Sequence, residues 1–323
     1  MRILITGANG FIGQALCPAL AAAGHAVTAA VRRPATFATH IAVQEVPDIV
    51  SEIAWVPSLE KIDAIVHLAA RVHILQEEAE DPLTAYRRVN VEGTRLLAEK
   101  ARDAGVKRLI FLSSVKVHGE DRPQPYSETD PPTPQDPYAA SKWEAEQTLW
   151  KTLKGSATEA VVLRPPLVYG PCVRGNFLTL LRLCEIGVPL PFGSVHNRRS
   201  LIGVDNLVDA IRHCLTHPKA SGETFLVSDG EDVSTPELIR RIARAMGKRI
   251  YLPPFPPALL RNVLRLAGKE AIAHRLLGSL TLDCSHIRDA LGWRPPEKLD
   301  AGLRKTADWY HTRKRSGRAA GSP

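Results

Sequence analysis

Short aliphatic runs alternate with longer amphipathic stretches through the first two thirds of the chain. The runs are rich in Val, Ile, Leu and Ala, which is typical of strands buried on both faces of a sheet. Six strands are predicted: Arg2–Thr6, Ala26–Ala30, Ala64–Leu68, Arg108–Ser113, Ala160–Leu163 and Glu223–Val227. Three helices are predicted between them: Gly13–Ala23, Tyr86–Ala104 and Tyr138–Lys154. The alternation indicates an α/β fold, a doubly wound parallel sheet with helices on both faces.

The sequence pattern changes after residue 164, where proline is more frequent and apolar runs alternate less regularly with amphipathic stretches. We therefore expect residues 1–164 to form a Rossmann domain, to which residues 204–228 return with the last strand. Residues 165–203 and 229–312 are expected to form a smaller mixed α/β lobe over the carboxyl ends of the strands, where ligands of such sheets bind. The basic residues 313–323 are expected to be a disordered tail.

The composition is that of a globular protein, with 44% apolar and 24% charged residues. Part of the net charge of +8 lies between Arg313 and Arg318, and the rest is spread among acids on helices. Without a nucleic-acid motif, this charge does not indicate nucleic-acid binding, and it suits small anions such as diphosphates. No apolar run approaches the roughly 18 residues of a membrane span, and no signal peptide precedes the first strand, so we expect a cytoplasmic protein. The five scattered cysteines predict neither a disulfide framework nor a metal site.

A glycine-rich turn joins the first predicted strand to the first helix. Its spacing is Gly-x-x-Gly-x-x-Gly, over residues 7–13. Glycines in such a turn allow a tight bend, close approach of the backbone to a pyrophosphate, and close helix–strand packing. The position directly after an N-terminal strand favours dinucleotide binding over a merely tight turn. The expected cofactor contacts in this turn are Gly7, Asn9, Gly10, Phe11, Ile12 and Gly13.

The end of the second strand bears on which dinucleotide binds. An acid there would bond the adenosine ribose hydroxyls and repel a 2′-phosphate, but Arg32 and Arg33 occupy this position. Guanidinium groups match phosphate geometry, so we predict a preference for NADP(H). NAD(H) is possible, since both arginines can equally be solvated loop residues. Asp48 and Ile49 are weaker candidates for flanking the adenine, because Asp48 can be only a turn residue.

Tyr138 and Lys142 lie four residues apart on one face of a predicted helix. An ammonium group beside a phenol favours the phenolate and lowers its pKa, so the phenol can exchange a proton with an alcohol or carbonyl. Such a spacing on its own is usually two exposed side chains without a catalytic role. Here the strand that ends in Ser113-Ser114 supplies a hydroxyl at the edge of the sheet where substrates bind.

These residues together resemble the extended short-chain dehydrogenases/reductases, the NAD-dependent epimerase/dehydratase family. That group contains UDP-glucose 4-epimerase, nucleotide-sugar 4,6-dehydratases and 4-ketohexose reductases. The resemblance covers nearly the whole chain. It rests on the glycine turn, the Ser and Tyr/Lys positions, and four further segments: His67-Leu68-Ala69-Ala70, Val89-Asn90-Val91, Leu163-Arg164-Pro165 and Tyr169-Gly170-Pro171.

The resemblance implies roles for individual residues. Ser114, rather than Ser113, is implied as the catalytic serine, with Tyr138 and Lys142 completing the catalytic set and contacting the cofactor. Further implied cofactor contacts are Leu68, Ala69, Ala70 and Asn90, and His67 is implied as a structural residue near the cofactor. The family also commonly forms homodimers, which makes a homodimer possible here.

For the substrate, the resemblance implies a UDP-sugar. Asn176 aligns with a family asparagine near the diphosphate. Arg198, seven residues before Asp205, aligns with an arginine that pairs with the same group, as a guanidinium does well. Arg275 is a candidate second clamp, and Lys116 a candidate substrate contact. Each can instead be a solvated surface residue.

Three reactions of the family are compared. A 4,6-dehydratase carries Asp-Glu after the catalytic serine, where this chain has Val115-Lys116. A valine has no proton to give and a protonated lysine is no base, so dehydration is disfavoured. Family epimerases hold NAD with an acid on the second strand, and that acid is missing here.

The expected function is therefore reduction of the C4 ketone of a UDP-4-keto-6-deoxy-N-acetylhexosamine with NADP(H), for surface polysaccharide synthesis. Three segments resemble a bacterial subgroup of such reductases: residues 113–120, 197–201 and 225–230. The alternative is a UDP-hexose 4-epimerase with tightly bound NAD. A third possibility is a non-catalytic NADP-binding protein on the same scaffold, although such proteins typically lose the tyrosine or the lysine.

Overall fold

The computed structural model of the chain describes residues 1–38, 40–46, 48–50, 59, 61–72, 81–266, 268 and 270–319. Ten strands lie in this part of the chain: β1 Arg2–Thr6, β2 Ala26–Val31, β3 Ala42–Glu45, β4 Ala64–His67, β5 Arg108–Leu112, β6 Glu159–Arg164, β7 Leu167–Tyr169, β8 Arg199–Gly203, β9 Thr224–Leu226 and β10 Asp232–Val233. The predicted strands agree with these to within two residues at each end, and β3 joins them at the sheet edge.

Eleven helices of the same described part accompany the strands: α1 Phe11–Ala22, α2 Pro82–Arg87, α3 Gly93–Asp103, α4 Pro137–Leu153, α5 Gly175–Ile186, α6 Val204–Thr216, α7 Thr235–Ala245, α8 Pro257–Leu266, α9 Glu270–Leu277, α10 Ser285–Leu291 and α11 Leu299–Ala319. Helix α4 begins one residue before its predicted start, and the Asp136 side chain caps it by accepting a hydrogen bond from the Ala139 amide at 2.7 Å.

Seven strands form the central parallel sheet in the order β3-β2-β1-β4-β5-β6-β9. The strand order reverses between β1 and β4, which opens a crevice at their carboxyl ends. Helices α1 and α6 pack on one face of the sheet through a single apolar cluster. Helices α3 and α4 pack on the other face. The doubly wound Rossmann fold expected from the sequence is confirmed.

A smaller three-stranded sheet, in the order β10-β8-β7, belongs to the second part of the chain. Its apolar surface packs with helices α5, α7, α8, α9 and α11 in a separate cluster. The sequence between these elements also contributes to the first core, because Ile287, Leu291 and Trp293 pack against the large sheet. Part of the range 229–312 thus packs on the Rossmann domain instead of the lobe, a departure from the expected division.

One further expectation is corrected. The helix predicted over Tyr86–Ala104 is divided by a π-helical segment, Arg88–Glu92, between α2 and α3. Helix α11 includes residues 313–319. The disorder expected of residues 313–323 stays a prediction.

Candidate active site

The glycine turn has the shape that a pyrophosphate site requires. Gly7 has a φ of 65°, and a Cβ there would lie 2.8 Å from the backbone nitrogen of Ala69. A Cβ on Gly13 would lie 2.5 Å from the Ala8 carbonyl oxygen, so this glycine permits close packing of α1 on β1. Gly10 is the N-cap of α1 and no side chain caps the helix, whose first turn also lacks an acid. Its first amides are therefore available to a phosphate.

The other expected cofactor positions line the same edge of the sheet. Leu68, Ala69 and Ala70 directly follow β4 and are partly exposed, as is Phe11 at the start of α1. Arg32 and Arg33 directly follow β2, and both are exposed. Asp48 forms an ion pair with Arg88 on the π-helical segment, and Ile49 packs against Gly93. The chain thus fits a dinucleotide laid across the crevice, with its adenosine end toward β2.

Asn90 is fully buried and connects two parts of the site. Its Oδ1 accepts from the Arg71 amide at 2.8 Å, and its Nδ2 donates to Ser141 Oγ at 2.9 Å. Ser141 lies on α4 between the catalytic candidates, so this amide fixes α4 relative to the loop after β4. The π-helical turn orients Asn90 toward both, in keeping with the frequent occurrence of π-bulges at functional sites.

The structure brings the three catalytic candidates together. Ser114 ends the loop after β5 and lies beside Tyr138, at the first turn of α4. Ser113 is buried and donates to Glu146, so of the two serines Ser114 alone has its hydroxyl in the cleft. Lys142 is one turn further along α4, with its Nζ 3.9 Å from the centre of the Phe111 ring.

The electrostatics of this set differ from the expectation. Burial raises the pKa of Tyr138, the Asp136 charge raises it further, and the Ser114 hydrogen bond partly opposes them. Burial lowers the pKa of Lys142 to about 7, with Glu146 acting in the opposite direction. In both groups burial acts against the charged form, because their shared environment is apolar. The acidic phenol expected beside Lys142 stays a prediction.

Glu146 belongs to a buried charged network that was not among the features predicted from the sequence. Its carboxylate accepts hydrogen bonds from the Ser113 hydroxyl and from the guanidinium of Arg164, whose Nη2 lies 2.5 Å from Glu146 Oε2. Arg164 NH1 also donates to His118 Nε2 at 2.7 Å. A signal was present in the sequence, since Glu146 follows Lys142 by four residues and shares its helical face.

The candidate substrate residues differ in their exposure and in their ion-pair partners. Lys116 Nζ lies 2.8 Å from Asp136 Oδ2 and also pairs with Glu120, so two carboxylates neutralise it. Asn176 is exposed on the first turn of α5. Arg198 is 72% exposed and pairs with Asp232.

Arg199, which the sequence analysis did not select, has its guanidinium against the Gly278 carbonyl at 3.0 Å. Burial lowers its pKa, Glu120 and Asp121 act in the opposite direction, and Arg275 adds to the lowering. Successive side chains of a strand point to opposite faces, so a shift of one position exchanges an exposed arginine for an inward one. Of the two arginines, Arg199 is thus the one held at Gly278, three residues after Arg275 in the chain.

His67 is buried at the centre of the sheet, and its imidazole is neutral. Its ring nitrogens bond Thr6 Oγ1 at 2.7 Å and Thr94 Oγ1 at 3.1 Å. Burial lowers its pKa to about 3, and the Lys142 charge contributes. Burial also lowers the pKa of His118 to about 4, with Arg164 contributing.

These two histidines predict acid sensitivity. The folded chain binds fewer protons than the unfolded chain below about pH 6.5, so stability is complete above that pH and falls on acidification. Each histidine contributes about 1.4 kcal/mol per pH unit. Urea unfolding of His67→Gln between pH 6.5 and pH 5 should show a slope smaller by that amount. The exposed His196→Gln should keep the wild-type slope, and an unchanged slope in His67→Gln would contradict the assignment.

Comparison with known proteins agrees with this geometry. The model of the family described as "NAD dependent epimerase/dehydratase family" matches residues 3–228. The chain belongs to this family. Within the family, the chain is 43% identical to a UDP-glucose 4-epimerase of Vibrio cholerae, over 95% of each chain. It is 27% identical to N-acetyl-alpha-D-glucosaminyl-diphospho-ditrans,octacis-undecaprenol 4-epimerase of Escherichia coli O157:H7, over 97% of each chain.

Among solved structures, MoeE5 in complex with UDP-glucuronic acid and NAD is 25% identical, with a TM-score of 0.78 over 97% of this chain and all of the other. The UDP-glucose 4-epimerase of Thermotoga maritima with UDP-glucose has the same fold, with a TM-score of 0.78 at 24% identity over 97% of this chain and all of that one. The chain is thus an enzyme of the nucleotide-sugar epimerase/dehydratase type in an NAD-dependent family. In the described part of the chain, no helix is long and apolar enough to cross a membrane.

Proposed function

We propose that the protein interconverts a UDP-hexose and its C4 epimer. The observation that carries this proposal is the placement of Ser114 beside Tyr138, with Lys142 one helical turn away, at the open edge of the sheet. The Vibrio cholerae relative supports it, because the likeness extends over 95% of both chains. This replaces reduction of a 4-keto sugar, the function expected from the sequence, as the leading proposal.

The chemistry divides among the residues of the chain. A nicotinamide dinucleotide, when bound, supplies the hydride acceptor and donor. Tyr138 takes the proton of the C4 hydroxyl as the carbon is oxidised, and returns it when the other face of the ketone is reduced. Ser114 donates a hydrogen bond to the C4 oxygen as it gains negative charge. We expect protonated Lys142 to lower the pKa of Tyr138 in the complex.

Dehydration is not proposed. Val115, which directly follows Ser114, is buried, and Lys116 is held by Asp136 and Glu120. Neither residue can exchange a proton at C5 or C6 of a sugar. The structure therefore supports the sequence argument against a 4,6-dehydratase.

The test supplies purified enzyme with UDP-galactose and a catalytic amount of either NAD or NADP. Formation of UDP-glucose without net change in absorbance at the reduced-nicotinamide band is expected. The second candidate function is reduction of a UDP-4-keto-6-deoxy-N-acetylhexosamine, favoured by Arg32 and Arg33 in place of an acid after β2. Stoichiometric loss of NADPH with that 4-keto sugar, without interconversion of UDP-hexoses, would establish the reductase instead.

The preference for NADP(H) is carried forward as a proposal on the same two arginines. Arg32→Ala with Arg33→Ala should weaken binding of NADP by about tenfold or more, since two charge-assisted contacts are lost. Binding of NAD should change little. Calorimetric titration of both dinucleotides measures this, and equal effects on the two would show that the arginines are solvated. Arg102→Ala is a suitable control, because Arg102 is exposed on α3.

We also propose that Arg199 and Arg275 bind the diphosphate of the UDP-sugar. Arg199 is held at the Gly278 carbonyl, and Arg275 lies three residues before Gly278, so an anion bound at this point would be met by two guanidiniums. Arg199→Ala should raise KM by about tenfold or more with a small change in kcat. Arg198→Ala, which changes the exposed residue directly before β8, is the matched control and should leave KM nearly unchanged. A larger effect of Arg198→Ala would restore the residue first selected from the sequence.

A further inference from the structure

Lys116 contacts both segments that carry the candidate catalytic hydroxyls. It belongs to a 3₁₀ turn, Val115–His118, which Ser114 caps by accepting a hydrogen bond from the Lys116 amide on its Oγ at 3.3 Å. The ammonium of Lys116 lies 2.8 Å from Oδ2 of Asp136, the N-cap of α4, two residues before Tyr138. The loop that carries the serine is therefore joined to the helix that carries the tyrosine through one residue.

The backbone fixes the position of this lysine. Val115 and Val117, the residues on either side, are 2% and 0% exposed and anchor the turn in the core. The Val115 amide also donates to the Pro165 carbonyl at 3.0 Å. Since the amide of nearly any residue at position 116 can bond Ser114, the ammonium is what a lysine adds at this position.

The ammonium is shared by two carboxylates that are largely withdrawn from water. The side chain of Lys116 is 23% exposed, that of Glu120 is 15% exposed and that of Asp136 is 30% exposed. Charges in such a place interact more strongly than an exposed pair, because less water screens them. Oδ1 of Asp136 also accepts from the Ala139 amide at 2.7 Å, so the carboxylate is held at the first turn of α4.

The charge of Asp136 acts on the candidate catalytic phenol. Burial is the largest cause of the raised pKa of Tyr138, followed by the Asp136 carboxylate and by Tyr86 of α2, while Ser114 acts in the opposite direction. A cation in contact with that carboxylate offsets part of its effect on the phenol. Further charged groups in this environment are Lys142 one turn along α4, Glu120 after the 3₁₀ turn, and Arg71 over the Tyr86 ring.

We propose that Lys116 is a positioning residue for proton exchange by Tyr138, and that it acts by holding and neutralising the Asp136 carboxylate. This role rests on the proposed function, because the lysine takes part in the same proton exchange. It differs from the substrate contact expected from the sequence. A residue that binds substrate alters KM, whereas a residue that acts on the phenol alters kcat and the pH at which the phenol exchanges its proton.

The test measures kcat and KM for UDP-galactose across a range of pH in the wild type and in Lys116→Met. Without the ammonium, the Asp136 charge acts on the phenol unopposed, and the pKa of Tyr138 rises further. Oxidation at C4 needs the deprotonated phenol, so the acidic limb of the kcat profile should move up by about one pH unit. At a pH on that limb, kcat should fall about tenfold, with a small change in KM.

Three variants separate the charge from the packing of the side chain. Lys116→Arg keeps a cation beside Asp136 and should restore the wild-type profile. Asp136→Asn keeps a good N-cap, and its addition to Lys116→Met should return the profile toward the wild type, because the unopposed charge is removed. Lys305→Met is the matched control on α11, since Lys305 also pairs with two carboxylates, those of Asp205 and Glu297, and it should leave the profile unchanged.

Three results would overturn the positioning role. A raised KM with an unchanged pH profile in Lys116→Met would make the residue a substrate contact. An equal loss of kcat at every pH, without rescue by Lys116→Arg, would leave it only a structural role. A double variant with the same profile as Lys116→Met would show that the lysine does not act through Asp136.

Failure of the proposed function gives a different result. A wild type that reduced the 4-keto sugar with NADPH, and did not interconvert UDP-hexoses, would replace the epimerase by the reductase. The tyrosine must then keep its proton to donate it, so the alkaline limb of the profile for reduction should move up in Lys116→Met. An unmoved alkaline limb in that assay would overturn the positioning role as well.

Discussion

Replacing Tyr138 by phenylalanine should lower kcat by about 10²–10⁴-fold, the usual contribution of a positioned proton donor or acceptor. The ring remains to pack against Tyr86, whose centre lies 6.2 Å away, so the fold should be retained. Only the phenol hydroxyl beside Ser114 is lost. The measurement is steady-state turnover of the UDP-hexose, together with calorimetric titration of the dinucleotide, whose affinity should change little.

Tyr310→Phe serves as the matched control. Its hydroxyl donates to Glu185 at 2.6 Å on the lobe, away from the sheet edge, and turnover should be preserved. If Tyr138→Phe turned over substrate at the wild-type rate, the residue would have no role in proton exchange. If neither the wild type nor Tyr138→Phe turned over substrate, but both bound the dinucleotide tightly, the protein would match the non-catalytic NADP-binding protein considered from the sequence.

Replacing Glu146 by glutamine should destabilise the folded chain by about 3–5 kcal/mol, because the buried guanidinium of Arg164 loses its counter-ion. Glu146 is 0% exposed and Arg164 is 5% exposed, so water cannot replace the lost contact. The expected result is a lower free energy of unfolding in urea, with an unchanged dependence on denaturant concentration. Ser113 loses its acceptor charge in the same change, and Lys142 loses the carboxylate that raises its pKa.

Glu144→Gln on the same helix is the control for this measurement. Glu144 pairs with Arg87 at the surface, where the side chains are 34% and 50% exposed. Exposed ion pairs contribute about 0–1 kcal/mol, so the control should unfold close to the wild type. Equal losses in the two variants would show that the Glu146 network does not behave as a buried ion pair.

Local patterns were enough to predict the sheet and the centre of the site. Strands buried on both faces are continuous aliphatic runs, and the glycine turn, Ser114, Tyr138 and Lys142 lie at fixed offsets from them. Their recognition required no knowledge of distant contacts. The same holds for the N-terminus of α4, where one aspartate and one proline determine the first turn.

Features that depend on distant contacts or on exact register were not predictable in this way. The π-helical segment orients Asn90 toward Arg71 and Ser141, which are 19 and 51 residues away. The choice between Arg198 and Arg199 depends on a single position of strand register, which motif spacing does not determine. The Glu146–Arg164 network joins α4, β6 and the segment after β5. The sequence motif indicates only the position of Glu146 on α4.

The position of β9 has a consequence for synthesis of the protein. Among the described residues this strand pairs only with β6, and about sixty residues of the other sheet and its helices separate the two along the chain. A nascent chain that has emerged only as far as Arg164 therefore presents β6 as an open, aliphatic strand edge. Such an edge recruits other extended chains. Ribosomes that stall or terminate between β6 and β9 should consequently release aggregating fragments, in contrast to those that translate past residue 228.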